Sequence, residues 1–107
     1  SYNSEYVAAC WDFGHGNRTY YDQTGAIKKI GRYLRATHLD DNIGKDDLHT
    51  IPFFGTIKWP EIMRTLREIN YSGDLTYELS CCKRMPPELI PSTVRLARDV
   101  GEYLLKL

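Results

Sequence analysis

The chain has no excess of charge of either sign: 14 lysines and arginines offset 14 aspartates and glutamates across 107 residues. No basic run is longer than a pair such as Lys28 and Lys29, so the sequence carries no electrostatic footprint for a phosphate backbone and no nucleic-acid partner is expected. Apolar runs are short. None approaches the roughly 20 residues that cross a bilayer, and no charged-then-apolar leader precedes a small-residue cleavage site, so no membrane partner is expected. Cysteine is scarce as well. The three thiols, Cys10, Cys81 and Cys82, cannot all pair within one chain, and adjacent cysteines rarely bridge, which argues against a secreted disulfide framework. Cys81 and Cys82 also lack the CxxC spacing of a zinc site. Together these absences predict a soluble protein of a reducing cytoplasm.

What is present is an alternation of short apolar runs and amphipathic stretches. The run YVAACWD predicts a first strand, followed by a turn rich in Gly, Asn and Tyr, and DQTGAIKKI then sets Ala26, Ile27 and Ile30 on one helical face. YLRATHL predicts a second strand, and a long polar connection runs from Asp40 to about Lys58. The next helix is the best marked: Pro60 suits a first turn, Glu61 complements the amino-terminal dipole, Ile62, Leu66 and Ile69 recur at helical spacing, and Tyr71-Ser72-Gly73 stops it. DLTYELS predicts a third strand. After Pro86 and Pro87, a last helix carries Val94, Ala97, Val100, Gly101 and Leu104 on one face. Strand and helix in strict alternation predict an α/β fold of parallel strands in right-handed βα units.

Strand parity sharpens this. Alternate side chains share a face, so Ala8, Cys10 and Asp12 fall together, as do Leu34, Ala36 and His38, and Thr76 and Glu78. Each strand thus ends a face of small or middling residues on a group that can bind a metal. Bulkier Trp11, Leu39, Leu75, Tyr77 and Leu79 fall on the opposite face, for helices to cover. Asp12, His38 and Glu78 are expected to meet beyond the carboxyl ends of the strands, where sites lie in parallel α/β proteins. Two carboxylates and an imidazole suit a divalent cation, Mn²⁺ first, with Zn²⁺, Co²⁺ or Mg²⁺ as alternatives. Taken singly the residues have plainer readings: Asp12 as a cap of the following turn, Glu78 as a solvated strand-end acid.

The segments DFGHGN, ATHLDDN and DDLHTIPFFGTIKWPEIMRTLREINYSGDLTYEL carry a resemblance. In combination they resemble the carboxyl-terminal part of the sugar phosphate isomerase/epimerase family, the xylose-isomerase-like (β/α)₈ barrels. The motifs are Asp12-x-x-His15 at one strand end, His38-Leu39-x-Asp41-Asn42 at the next, Asp47-x-His49 with Gly55-Thr56-Ile57-x-Trp59 in the loop, and a last strand ending in Glu78.

The resemblance implies that Asp12, His38 and Glu78 bind metal and that Glu78 also exchanges a proton with substrate. By the same token His15, Asp41 and His49 would contact a sugar or sugar-phosphate substrate. The implied chemistry is proton transfer next to a carbonyl through an enediolate; the alternatives are a lyase or dehydratase of the same barrel group, or a catalytically silent, self-associating fragment. A family member has a fourth metal ligand, a glutamate on an earlier strand for which Glu5 cannot stand in. Lys58 and Phe54 also depart from common family choices. Such a barrel takes about 250 residues and eight strands, so residues 1–107 read as one partial barrel domain, its last three strand-helix units, expected to be inactive alone. Open sheet edges invite pairing with another chain, so self-association is expected.

Overall fold

The computed structural model of the protein describes residues 9–19, 22–46, 48–80 and 83–107. The expected start of the first strand at Tyr6, together with Ala8, Asp47, Cys81 and Cys82, lies outside them. Strand β1 spans Ala9–Asp12, helix α1 Phe13–Thr19, α2 Gln23–Ile30, β2 Leu34–Leu39, α3 Trp59–Glu68, β3 Leu75–Tyr77 and α4 Ile90–Leu105. The strands pair in parallel in the order β1-β2-β3, so among the described residues β1 and β3 are both sheet edges. The described residues therefore form three consecutive parallel strand-helix units.

One layer of helices covers one face of this sheet, and the core lies between them. Trp11 and Leu39 from the strands meet Ile27 of α2, Trp59, Ile62, Met63 and Leu66 of α3, and Leu104 of α4, with Leu75 and Tyr77 packed at the margin. Burying such a row of branched and aromatic side chains is the main term that holds the layers together. Helix α2 starts where Asp22 accepts the Gly25 N–H, a side-chain cap for one orphan donor of the first turn. Helix α3 starts with Trp59 and Pro60 and ends near Asn70, whose φ of 58° turns the chain out of the helix.

Three expectations need correction. The segment after β1 is the short helix α1 and not a turn. Its glycines are there for close approach: a Cβ at Gly14 would overlap the Asp40 carboxylate, and one at Gly16 would overlap the Gln23 side chain and Trp11. Secondly, Leu34 joins the core and not the face of Ala36 and His38. The register steps from Ala9↔Leu34 to Cys10↔Ala36, leaving Arg35 as an extra residue; such a bulge inverts the parity of what precedes it. Thirdly, Val94 is 54% exposed. It borders an apolar cavity of about 390 Å³ lined by Tyr77, Leu79, Thr93, Ala97 and Arg98, at the β3 edge where no further strand is described.

Among the described residues the opposite face of the sheet is open. Cys10, Ala36 and Thr76 are all exposed on it, and it is this face that Asp12, His38 and Glu78 terminate. No described helix is long and apolar enough to cross a membrane.

Candidate metal centre

Asp12 and His38 are direct cross-strand partners at the ends of β1 and β2. Glu78 follows Tyr77, the last residue of β3, and its N–H still donates to Leu39 O at 3.2 Å, so the ladder holds it level with the others. One ligand atom from each of the three lies within 4.8 Å of the other two. The His38 Nδ1 is the hub, 2.8 Å from Glu78 Oε2 and 3.7 Å from Asp12 Oδ2. Metal bonds of about 2.0–2.2 Å to such donors require ligand atoms roughly 3.0–3.5 Å apart, a range those two distances bracket. The donor set is one that suits a divalent cation, with His38 Nδ1 within a few tenths of an ångström of that spacing from each acid.

The two oxygens of Asp12 divide their work. Oδ1 accepts the His15 N–H at 2.9 Å, capping α1, while Oδ2 stands 3.7 Å from His15 Nδ1 and 3.7 Å from His38 Nδ1. The plain reading of Asp12 as a cap and the functional one thus coexist in a single carboxylate. Exposure grades across the site: the side chains of Asp12, His38 and Glu78 are 11%, 43% and 50% exposed, so Glu78 is the acid most open to a solute. His15 and His49 stand beside them, their rings in edge contact with centroids 6.1 Å apart. All three histidines of the chain are thereby gathered at one end of the sheet.

Asp41 has a different place from the substrate contact expected of it. It is buried, its Oδ1 accepts from Asn42 N at 2.8 Å and Ile57 N at 3.2 Å, and its Oδ2 accepts from Phe53 N at 3.0 Å and Trp59 Nε1 at 2.8 Å. Both oxygens are spent on folding the long loop onto the top of α3. The neighbouring Asn42 does similar work, donating to Gly14 O at 2.9 Å and accepting from Asn17 Nδ2 at 2.8 Å. The residue beside the site is instead Asp40, fully buried, with Oδ2 3.5 Å from His49 Nδ1. One more alternate step past Ala36 and His38 reaches Asp40, so parity held that signal.

With this geometry in hand, three likenesses can be placed. A family model described as the xylose isomerase-like TIM barrel matches residues 2–100. The uncharacterized protein y4fM of Sinorhizobium fredii is 34% identical over 77 residues, 72% of this chain and 25% of the relative. A crystal structure of a D-tagatose 3-epimerase-like protein aligns with a TM-score of 0.68 at 22% identity, over 92% of this chain and 36% of that one. The chain thus spans about a quarter to a third of the length of these relatives. Its three parallel strand-helix units, with acid, imidazole and acid at their carboxyl ends, belong to the xylose isomerase-like TIM barrel family.

Proposed function

We propose that these residues are part of a metal-dependent sugar or sugar-phosphate isomerase or epimerase, in which Asp12, His38 and Glu78 hold a divalent cation, Mn²⁺ first. The single observation that carries this reading is the convergence of their ligand atoms within 4.8 Å at the ends of three parallel strands. When bound, the cation polarises a substrate carbonyl and its neighbouring hydroxyl and favours the enediolate charge.

The chain's own groups then divide as follows. Asp12, anchored through Oδ1, keeps one oxygen for the cation. His38 presents Nδ1 between the two acids. Glu78, half-exposed, takes the proton from the carbon beside the carbonyl. The C–H electron pair moves into the carbon–carbon bond and the carbonyl oxygen accepts the charge; return of a proton to the former carbonyl carbon, with the hydroxyl proton passing to the former carbonyl oxygen, gives the isomer, and return to the opposite face of the original carbon gives the epimer. The imidazoles of His15 and His49, at the rim, orient substrate hydroxyls. The second acid or base of the reaction comes from outside the described strands.

The test uses the chain itself and the longer protein. Isothermal titration of Mn²⁺ should give saturable binding that Glu78→Gln weakens by about tenfold or more, since a neutral amide is a poorer ligand than a carboxylate. In the longer protein, Glu78→Gln should abolish exchange of the substrate proton with solvent. Unchanged exchange would remove Glu78 from the mechanism.

A second reading, a catalytically silent chain that self-associates, is favoured by one observation. Among the described residues the sheet face of Cys10, Ala36 and Thr76 is exposed, and β1 and β3 are both edges. Sedimentation at micromolar concentration should then report a dimer or larger species, and a well-folded monomer would end this reading.

A further inference from the structure

We propose that His49 is a positioning residue for Glu78: its Nδ1–H, steadied by Asp40, pins the Glu78 main chain and so sets where the Glu78 carboxylate stands. This rests on the reading of Glu78 as the reactive acid, and it gives His49 a task beyond contact with substrate.

His49 Nδ1 lies 2.9 Å from the Glu78 carbonyl oxygen and 3.5 Å from Asp40 Oδ2. A carbonyl and a carboxylate only accept, so Nδ1 must carry the proton, and the tautomer is set by the neighbours. Glu78 needs such a restraint. It lies one residue past β3, the sheet edge among the described residues, where its N–H donates to Leu39 O at 3.2 Å. With the N–H held by β2 and the carbonyl held by His49, the peptide units flanking Glu78 are fixed on both sides.

The surrounding chain supports the same clamp. Ser80 N donates to His49 O at 3.0 Å, and Ser80 Oγ donates to Leu48 O at 2.8 Å. Residues 48–49 therefore lie along residues 78–80 much as a partner strand would. The loop that carries them is itself tied to the end of β2 by the antiparallel bridge Asp41↔Thr50. His49 adopts a φ of 51°, a left-handed conformation that costs most residues energy and is kept where other contacts determine it. Asp40 is fully buried, with Gly14 leaving room for its carboxylate, so the acid that steadies the imidazole is itself immobilised.

Two variants separate this role from a direct one. His49→Gly accepts the left-handed backbone but deletes the donor; His49→Asn also tolerates that backbone and places an amide N–H near the Nδ1 position. In the metal-free chain, His49→Gly should speed hydrogen exchange at the Glu78 and Ser80 amides by about tenfold or more, and His49→Asn should restore it to within about threefold. Mn²⁺ affinity should follow, falling by about tenfold in His49→Gly and recovering in His49→Asn, the size seen when a supporting partner of a ligand is lost. Unchanged exchange at Glu78 in His49→Gly would overturn the clamp. So would an Asn variant as impaired as the Gly variant, because the imidazole itself would then be required. A wild-type chain that binds no Mn²⁺ defeats the metal reading alone, and the exchange measurements still decide the clamp.

Discussion

The most exacting consequence of the structure concerns Asp41, which the family likeness points toward substrate and the folded chain turns inward. Its carboxylate receives four donors: three backbone N–H groups, from Asn42, Phe53 and Ile57, and the indole N–H of Trp59. Replacement by Asn keeps the shape and one acceptor oxygen but swings an NH₂ group toward two of those donors. Each buried donor left without an acceptor costs about 1–3 kcal/mol, and bonds to a charged acceptor sit at the upper end. Partial access of water at the exposed Phe53 lowers the total, so Asp41→Asn should destabilise by about 2–5 kcal/mol.

That loss is large against the roughly 5–15 kcal/mol that holds a domain of this size together. Urea titration followed by tryptophan fluorescence measures it directly, because Trp59 is both buried and bonded to Asp41. The midpoint should fall, with little change in the slope. Asp46→Asn, at an exposed acid of the same loop, is the control and should shift stability by less than about 0.5 kcal/mol. If Asp41→Asn proved as neutral as the control, the four bonds to its carboxylate would not hold the loop, and a role in substrate contact would regain its force.

Two further outcomes follow from particular contacts. Tyr77 donates its hydroxyl to Ala97 O at 2.6 Å, and burial pushes that hydroxyl up to about 12, because the phenolate would lose its water. The folded chain therefore holds this proton more tightly than the unfolded chain, whose tyrosine ionises near pH 10; stability should be level below about pH 10 and fall as pH rises toward 12. Denaturant titrations across that window should show the decline in the wild type and a smaller one in Tyr77→Phe. Gly14→Ala places a Cβ into the Asp40 carboxylate, so the midpoint of thermal unfolding should drop by an amount equivalent to about 1–3 kcal/mol, and an unchanged midpoint would mean that α1 and Asp40 are not in contact.

Much of this molecule was legible before any coordinates. Alternation of apolar runs with 3.6-residue periodicity identifies the parallel α/β units, and two-residue counting back from Asp12, His38 and Glu78 already puts them on one face. Those signals survive because both depend on local geometry: a strand side chain's face is decided by its own position along the chain. Leu34 shows the limit. The extra residue at Arg35 is a matter of register with β1, so no count within β2 alone could detect it.

The order of the site's residues was settled by the sequence itself, since a strand must deliver its terminal side chain to whichever end it runs toward. Only the tertiary structure decided between Asp40 and Asp41. Two adjacent acids in a loop look alike as letters, and which one is swallowed by backbone donors and which one stands against an imidazole depends on where residues 49, 53, 57 and 59 return in space. Long-range return of the chain is a property of packing, and packing is what the string of residues does not display.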